Sequence, residues 1–414
     1  MENALQFMKK YLVLKGDRLL WAMVILLMFF SLVVVFTSTG VLAYKFHAGN
    51  TTYLLMKHFG MLVASVIAIL ILQSMHYKYF MSFAAWVWFL ALICLAIMPF
   101  VGVKINDAIR WIRIPVIGLT FQPSEIAKIG VVMWVARIIA IEQDDGHCGG
   151  RALFKSALCL LPMIVLIIQE NFSTVSLMGL VVLMMLFIGR LRAKLMTITF
   201  VTVAVCAISS LWAVYNVPQL EESQRVRIVK ERLSGTNKFQ LEQSKIAIAL
   251  GGLHGVGPGK SVQRDFLPNP FSDCVYSITI EEYGLFVGGL LVLLVYLIIL
   301  YRVGTIIQRC TRVFPALLVA GLGLTIVFQA LVHILVCVGL FPVTGQQLPF
   351  VSMGGTSTIL TGCTVGMIQS VAHTFSEAGK DEERQRQQRR RDALEQKRRN
   401  LEREAAEADY VEEM

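Results

Sequence analysis

The sequence predicts an all-α integral membrane protein of about ten transmembrane helices, and three observations carry that prediction. Apolar runs of bilayer length, roughly 17 to 25 residues each, recur almost from end to end. Hydrophobic residues make up 56% of the 414 and charged ones only 16%, with a mean hydropathy of +0.65. That is too apolar for a surface wetted on all sides. The Lys and Arg of the short connections also fall on one side of the resulting weave.

The runs lie near Leu19–Val41, Leu54–Gln73, Met81–Val101, Glu125–Ile141, Ala152–Ile168, Val175–Gly189, Leu195–Val214, Val275–Tyr301, Phe314–Leu340 and Phe350–Ala372. The first follows Lys9, Lys10, Lys15 and Arg18 but is too long for a signal-peptide core, and no small-residue cleavage site comes after it. It is therefore expected to stay as the first helix. Lys78, Arg151 with Lys155, the Arg190–Lys194 turn, and Arg302, Arg309 and Arg312 all share the side of the N-terminus, which the positive-inside rule makes the cytoplasm. An even count of spans puts both termini there. The segments 102–122 and 217–274 then face outward, the second as a large extracytoplasmic loop between helices 7 and 8. The division follows: 1–18 as a cytoplasmic N-terminus, 19–374 as the membrane domain and 375–414 as a charged cytoplasmic tail.

The tail is rich in Glu, Arg, Gln and Ala, which favours helix, but has too few apolar residues to bury a core. Its basic centre, Arg384–Arg403, suits anionic lipid, and a solvated, partly helical tail fits the composition as well. The eight cysteines are scattered, mostly inside apolar spans, and read as small packing residues rather than a disulfide framework or zinc site. The histidines form no ligand cluster, so no protein-built metal site is expected; His58 and His333 read as hydrogen-bonded interior residues.

Ionisable groups in a membrane domain call for a reason, because each costs about 2.5–3.5 kcal/mol near mid-membrane on insertion scales. They gather on the outer side in three clusters. In the first, 105–130, Pro123 suits a first helical turn with Glu125 near N3, and Glu125 and Lys128 share a helix face. The pair serves equally as structural glue or as the lining of a hydrated cavity. The second is the large loop. Arg225, Arg227, Lys230 and Arg232 suit phosphate or a headgroup-bound surface helix. In "GGLHGVGPGKS" a nucleotide-binding pattern would need glycine where His254 stands, and the loop faces away from cytoplasmic ATP, so neither ATP nor nucleic acid is expected as a partner. Its glycines let the backbone fold close to the bundle, and Pro268 and Pro270 stiffen the approach to Asp273. In the third, 341–362, Ser352, Gly354, Gly355, Thr356 and Ser357 allow tight helix packing.

These stretches together, "QPSEIAK", "GGLHGVGPGKS", "LPNPFSD" with "EEYG", and "FPVTGQQLPFVSMGG", resemble the SEDS family of ten-span peptidoglycan glycosyltransferases, in the right order and on the same side. The wording of the glycine-rich loop is closer to the division-type branch than to the elongation-type branch. The resemblance implies polymerisation of lipid II into β-1,4-linked glycan strands with release of undecaprenyl diphosphate, at the cytoplasmic (inner) membrane and at the division septum. It places the family's essential aspartate on Asp273, as general base. It places the family's acid and lysine on Glu125 and Lys128, and its small-residue motif on Ser352–Ser357. Substrate binding is accordingly expected of Arg110, Glu125, Lys128, Lys260, Ser261, Ser352, Gly354, Gly355 and Ser357. Glu281 and Glu282 are read as supports, about two turns deeper than Asp273. A divalent cation, magnesium or manganese, is expected only as a companion of the substrate diphosphate. The implied partners are lipid II, a class B penicillin-binding transpeptidase and other divisome proteins.

Departures from the family pattern stand at Asn171 in place of an acid, with Glu170 next to it, at Cys274 in place of an aromatic, at Met353 in place of a tyrosine and at His333 in place of an asparagine. Two other readings fit ten spans with polar interiors: a transporter that flips lipid II, which should concentrate polar groups near the midplane, and a scaffold without catalysis. An elongation-type glycosyltransferase is the remaining alternative.

Overall fold

In the computed structural model of the chain, residues 14–40, 42, 44, 50–105, 108–113, 120–144, 146–168, 171–216 and 238–377 are described. The basic loop segment with Arg225, Arg227, Lys230 and Arg232, Glu170, the first thirteen residues and the charged tail lie outside them. The helices are α1 (Arg18–Ser38), α2 (Thr51–Gln73), α3 (Tyr77–Val101), α4 (Pro123–Glu142), α5 (Gly150–Ile168), α6 (Phe172–Ile188), α7 (Ala193–Asn216), α8 (Lys238–Gly251), α9 (Val275–Gly284), α10 (Val292–Arg309) and α11 (Val313–Cys337). A further helix, α12, covers 356–377. The protein is a multi-pass, all-α membrane fold. Among the described residues six helical stretches are long and apolar enough to cross a membrane, and α6 and the first part of α7 are shorter apolar helices.

Where sequence runs and helices differ, local chemistry explains it. α1 starts at Arg18 because the Asp17 side chain accepts the Leu20 amide as an N-cap. That carboxylate also pairs with Arg302 in the second half of α10, and Gln369 of α12 clasps the Asp17 backbone in both directions. Three distant parts of the chain are thereby tied at one end of the bundle. Segment 102–121 adds a small antiparallel sheet, β1 (Gly102–Ile105), β2 (Ala108–Arg113) and β3 (Thr120–Phe121) in the order β1-β2-β3, which the apolar pattern did not signal. A second, two-stranded pairing joins Gln143–Asp144 to His147–Cys148. The last run does not begin helical at Phe350: Phe350 and Gly355 hold positive φ, 64° and 57°, so 341–355 stays an irregular strap and α12 starts at 356.

The largest departure is at Gly284. The sequence suggests one span from Val275 to Tyr301, but Tyr276 Oη donates to the Gly289 carbonyl at 3.2 Å and Thr279 Oγ1 to the Gly288 carbonyl at 3.2 Å. In a continuous helix residues thirteen apart are separated by about 20 Å. The chain therefore doubles back at Gly284, whose φ of 78° suits glycine, before a π-helical segment, Leu285–Leu291, leads into α10.

The glycine loop after α8 docks on this reversal. Val256 N–H donates to the Glu281 carbonyl at 2.9 Å, Gly257 N–H to the Glu282 carbonyl at 3.0 Å, and Leu285 N–H to the Gly252 carbonyl at 2.9 Å. A Cβ on Gly255 would lie 2.3 Å from the Glu282 carbonyl oxygen, at a φ of +81°. Gly255→Ala should therefore destabilise by about 2–4 kcal/mol through backbone strain and overpacking. A lowered melting temperature in detergent, with faster proteolysis between α8 and α9, is the expected result.

Candidate active site

Asp273 is the last-but-one residue of the loop that enters α9, and the strap 341–355 holds its backbone. Ser352 Oγ donates to the Ser272 carbonyl at 2.8 Å and accepts the Leu348 amide at 2.8 Å. Met353 N–H donates to the Phe271 carbonyl at 3.0 Å. Asp273 N–H bonds the Asn269 carbonyl at 3.1 Å, and its Oδ1 accepts the Ser272 hydroxyl at 3.0 Å. The carboxylate is thus fixed from the backbone upward, with Oδ2 turned to a recess. Burial pushes its pKa above the usual carboxylate range, against the lowering pull of the Ser272 bond and of the neighbouring His333 and Arg110.

The depth of this recess reverses the sequence expectation. The Val351 carbonyl accepts Ser31 Oγ at 2.9 Å, in the middle of α1, whereas Glu282 Oε2 accepts Thr37 Oγ1 at 2.7 Å, at that helix's end. Asp273, held by the strap, therefore lies deeper than Glu281 and Glu282. The expectation that the two glutamates lie deeper fails because α9 runs back toward the end of α1 before the chain turns at Gly284.

Three consecutive strap residues meet β2, the loop before α9 and helices α6, α11 and α12. Gly345 faces both Asp273 and Arg110: a Cβ there would be 3.5 Å from Arg110 Nη1 and 4.0 Å from Asp273 Oδ2. The Gln346 carbonyl meets His333 Nδ1 at 2.8 Å and its side chain donates to Thr174 Oγ1 at 2.9 Å. The Gln347 carbonyl accepts Gln329 Nε2 at 2.9 Å, and its Oε1 accepts Ser357 Oγ at 2.5 Å. Gln329 in turn accepts Lys128 Nζ at 2.7 Å, and Lys128 pairs with Glu125 at 2.8 Å. One polar chain thus runs from Glu125 through Lys128, Gln329 and Gln347 to Ser357. Glu125, Lys128, Gln329, Thr325, Thr361 and Thr364 share a cavity of about 20 Å³, room for a single water.

Arg110 and Asp273 are brought together, and Glu125, Lys128, Ser357 and Gly354 form the adjoining polar chain, with Gly354 packed so tightly that a Cβ would meet Ser357 Oγ at 2.2 Å. Gly355, by contrast, has open space around it and a φ of +57°. Ser352 and Ser261 are turned inward. The Ser352 donor is committed to the Ser272 carbonyl, and Ser261 Oγ donates to Glu281 Oε2 at 2.5 Å while accepting the Arg264 amide. Both hydroxyls are engaged within the protein. Lys260 is exposed on the glycine loop, beside Gly257. Glu281 is fully buried and gathers Ser261 together with the Val262 and Gln263 amides at 2.9 and 3.2 Å. Among the described residues no three His, Cys, Asp or Glu side chains converge to cage a metal ion.

Sequence reasoning passed over Gln329, Gln346, Gln347 and Gly345. Gln329 had a signal: a primary amide inside an apolar run must be paired. Asn171 caps α6 through the Thr174 amide at 3.2 Å, a role open to an acid or an amide, which accounts for that departure from the family wording.

Residues 17–377 match the cell cycle protein family of FtsW, RodA and SpoVE. The chain belongs to this family. Similar relatives include the probable peptidoglycan glycosyltransferase FtsW of Pseudomonas fluorescens, 30% identical over 334 residues that cover 78% of this chain and 79% of that protein. The FtsW of Trichlorobacter lovleyi is 29% identical, covering 88% and 95%. The peptidoglycan glycosyltransferase MrdB of Escherichia coli is 28% identical, covering 79% and 87%. Solved folds agree: RodA of Thermus thermophilus superposes with a TM-score of 0.62 at 23% identity, covering 86% and 96%. A chain from work on the structural coordination of polymerization and crosslinking by a peptidoglycan synthase complex superposes with 0.67 at 23%, covering 88% and 99%. The likeness to this SEDS-type family thus spans the whole membrane domain, the recess of Asp273 included.

Proposed function

We propose that this member of the family polymerises lipid II into glycan strands, with Asp273 as the general base. The chain is a peptidoglycan glycosyltransferase of the FtsW and RodA type. The observation that carries the assignment of the base is the recess in which the Asp273 carboxylate and the Arg110 guanidinium face one point over Gly345. The reaction joins the 4-hydroxyl of one sugar to the anomeric carbon of another. A hydroxyl needs a base within about 3 Å to attack at neutral pH. Asp273 Oδ2 takes that proton. Arg110 offers the leaving diphosphate fixed positive charge and several donors, and Lys128, held by Glu125 and Gln329, keeps the neighbouring wall polar. A divalent cation bound with the diphosphate would add charge neutralisation there.

The membrane frame of this reading has ten spans, both termini in the cytoplasm and the large loop outside, so that the recess opens where lipid-anchored sugars are presented. The partner is a class B transpeptidase, supported by the fold likeness to a chain of a synthase complex that couples polymerization to crosslinking. The division role rests on the wording of the glycine-rich loop; depletion giving filaments rather than rounded cells supports it. Purified protein, with and without a cognate transpeptidase, should convert lipid II to glycan ladders on gels. Transbilayer movement of lipid II without glycan product would overturn the reading in favour of a flippase.

The pH profile follows from the raised Asp273 pKa. A protonated carboxyl cannot accept the hydroxyl proton, so activity is lost as pH falls through that pKa. The acidic limb of kcat/KM should lie above the 3.8 of an ordinary aspartate and fall about tenfold per pH unit below it. A limb at or below the ordinary value would remove Asp273 as the titrating base.

A further inference from the structure

Gly345 stands where a missing side chain lies beside both Arg110 and Asp273. Its imaginary Cβ lies in ordinary van der Waals contact with Arg110 Nη1, at 3.5 Å, and with Asp273 Oδ2, at 4.0 Å. The residue cannot retreat to enlarge or close the gap, because the next two residues are pinned to His333, Thr174, Gln329 and Ser357. Nor does its backbone demand glycine, since Gly345 is not among the positive-φ glycines. A Cβ there would meet its neighbours at ordinary contact distance, so neither backbone conformation nor packing requires glycine at 345.

We propose that Gly345 is the floor of the reaction centre, a specificity-determining residue above which the donor's anomeric carbon sits, between the acceptor hydroxyl on Asp273 and the leaving diphosphate on Arg110. This rests on the glycosyl-transfer reading above. A hydroxyl bound to a carboxylate lies about 2.7 Å away, and a phosphate oxygen on a guanidinium about 2.8 Å. The two groups flank one point beside Gly345, so a reacting centre there lies within reach of both. In the step, the acceptor O–H proton passes to Asp273 Oδ2 and the acceptor oxygen forms the new bond to the anomeric carbon. The bond from that carbon to the diphosphate breaks, and its electron pair leaves on the diphosphate beside Arg110. Any Cβ at 345 would stand in the space of that centre.

The test is Gly345→Ala, assayed on lipid II beside Asp273→Asn. The alanine is expected to fold with an unchanged melting temperature and to lower kcat by at least about a hundredfold, the effect of misplacing reacting atoms by an ångström, with KM for lipid II within about threefold. Full activity in Gly345→Ala while Asp273→Asn is inactive would overturn this proposal and leave the glycosyl-transfer reading standing. Full activity in both would overturn the reading itself. If Gly345→Ala melts early, it is assayed below its own midpoint, where it is folded: kcat should still fall at least about a hundredfold relative to the parent at that temperature, and a kcat within about threefold of the parent would overturn the proposal.

Discussion

Asp273→Asn is expected to lower glycan polymerisation by about a hundredfold to ten-thousandfold, the span usually contributed by a positioned base. The amide keeps the side chain's shape and can still accept from Ser272 Oγ, whose bond to Asp273 Oδ1 is 3.0 Å. The backbone anchors from Ser352 and Met353 are untouched. Fold loss therefore offers no alternative account, and an unchanged melting temperature in the same preparation would show it. Product ladders from radiolabelled or fluorescent lipid II provide the measurement. Activity within threefold of the parent would remove Asp273 from the base role, and attention would move to Glu125 as the other acid lining a polar cavity of the site.

Lys128→Met should produce the largest stability change of any substitution in the site. Lys128 is 3% exposed and holds both Glu125 and Gln329. Removing the ammonium leaves the Glu125 carboxylate in a low-dielectric wall without its counter-charge, and breaking a buried pair in this way costs about 3–5 kcal/mol. The double variant Glu125→Gln with Lys128→Met should recover much of that loss, because no charge then remains unpaired. Lys128→Arg should not replace the lysine, since its planar fork does not match a point charge shared between a carboxylate and an amide. Thermal unfolding in nanodiscs resolves these cases. Equal stability of the single and double variants would mean that Glu125 finds water in the adjoining cavity and that its charge does not depend on Lys128.

Much of the site was legible before the fold was known. Asp273 stood out as a carboxylate where a stiffened polar loop meets an apolar run, and Glu125 and Lys128 as an acid and a base one turn apart on a helix. The partners of the serines were not legible, because a hydroxyl in a small-residue motif looks the same whether it faces a substrate or a backbone carbonyl. Only the coordinates show that Ser352 is committed to Ser272 and Ser261 to Glu281. Gln329 was passed over because a single amide in a long apolar stretch hardly alters its hydropathy, though its partners make it the link between Lys128 and the strap.

By itself the sequence determined the membrane class, the approximate helix positions and the family likeness. These depend on properties counted residue by residue: apolar length against bilayer thickness, loop charge and the order of short motifs. Tertiary structure alone decided that the chain turns back at Gly284, that Asp273 lies deeper than Glu281 and Glu282, and that Gly345 is left bare between Arg110 and Asp273. The turn rests on contacts 9 and 13 residues apart, and the other two on contacts between segments far apart in the chain. An apolar run has the same hydropathy whether it continues across the bilayer or folds back on itself, so no local count could distinguish the two.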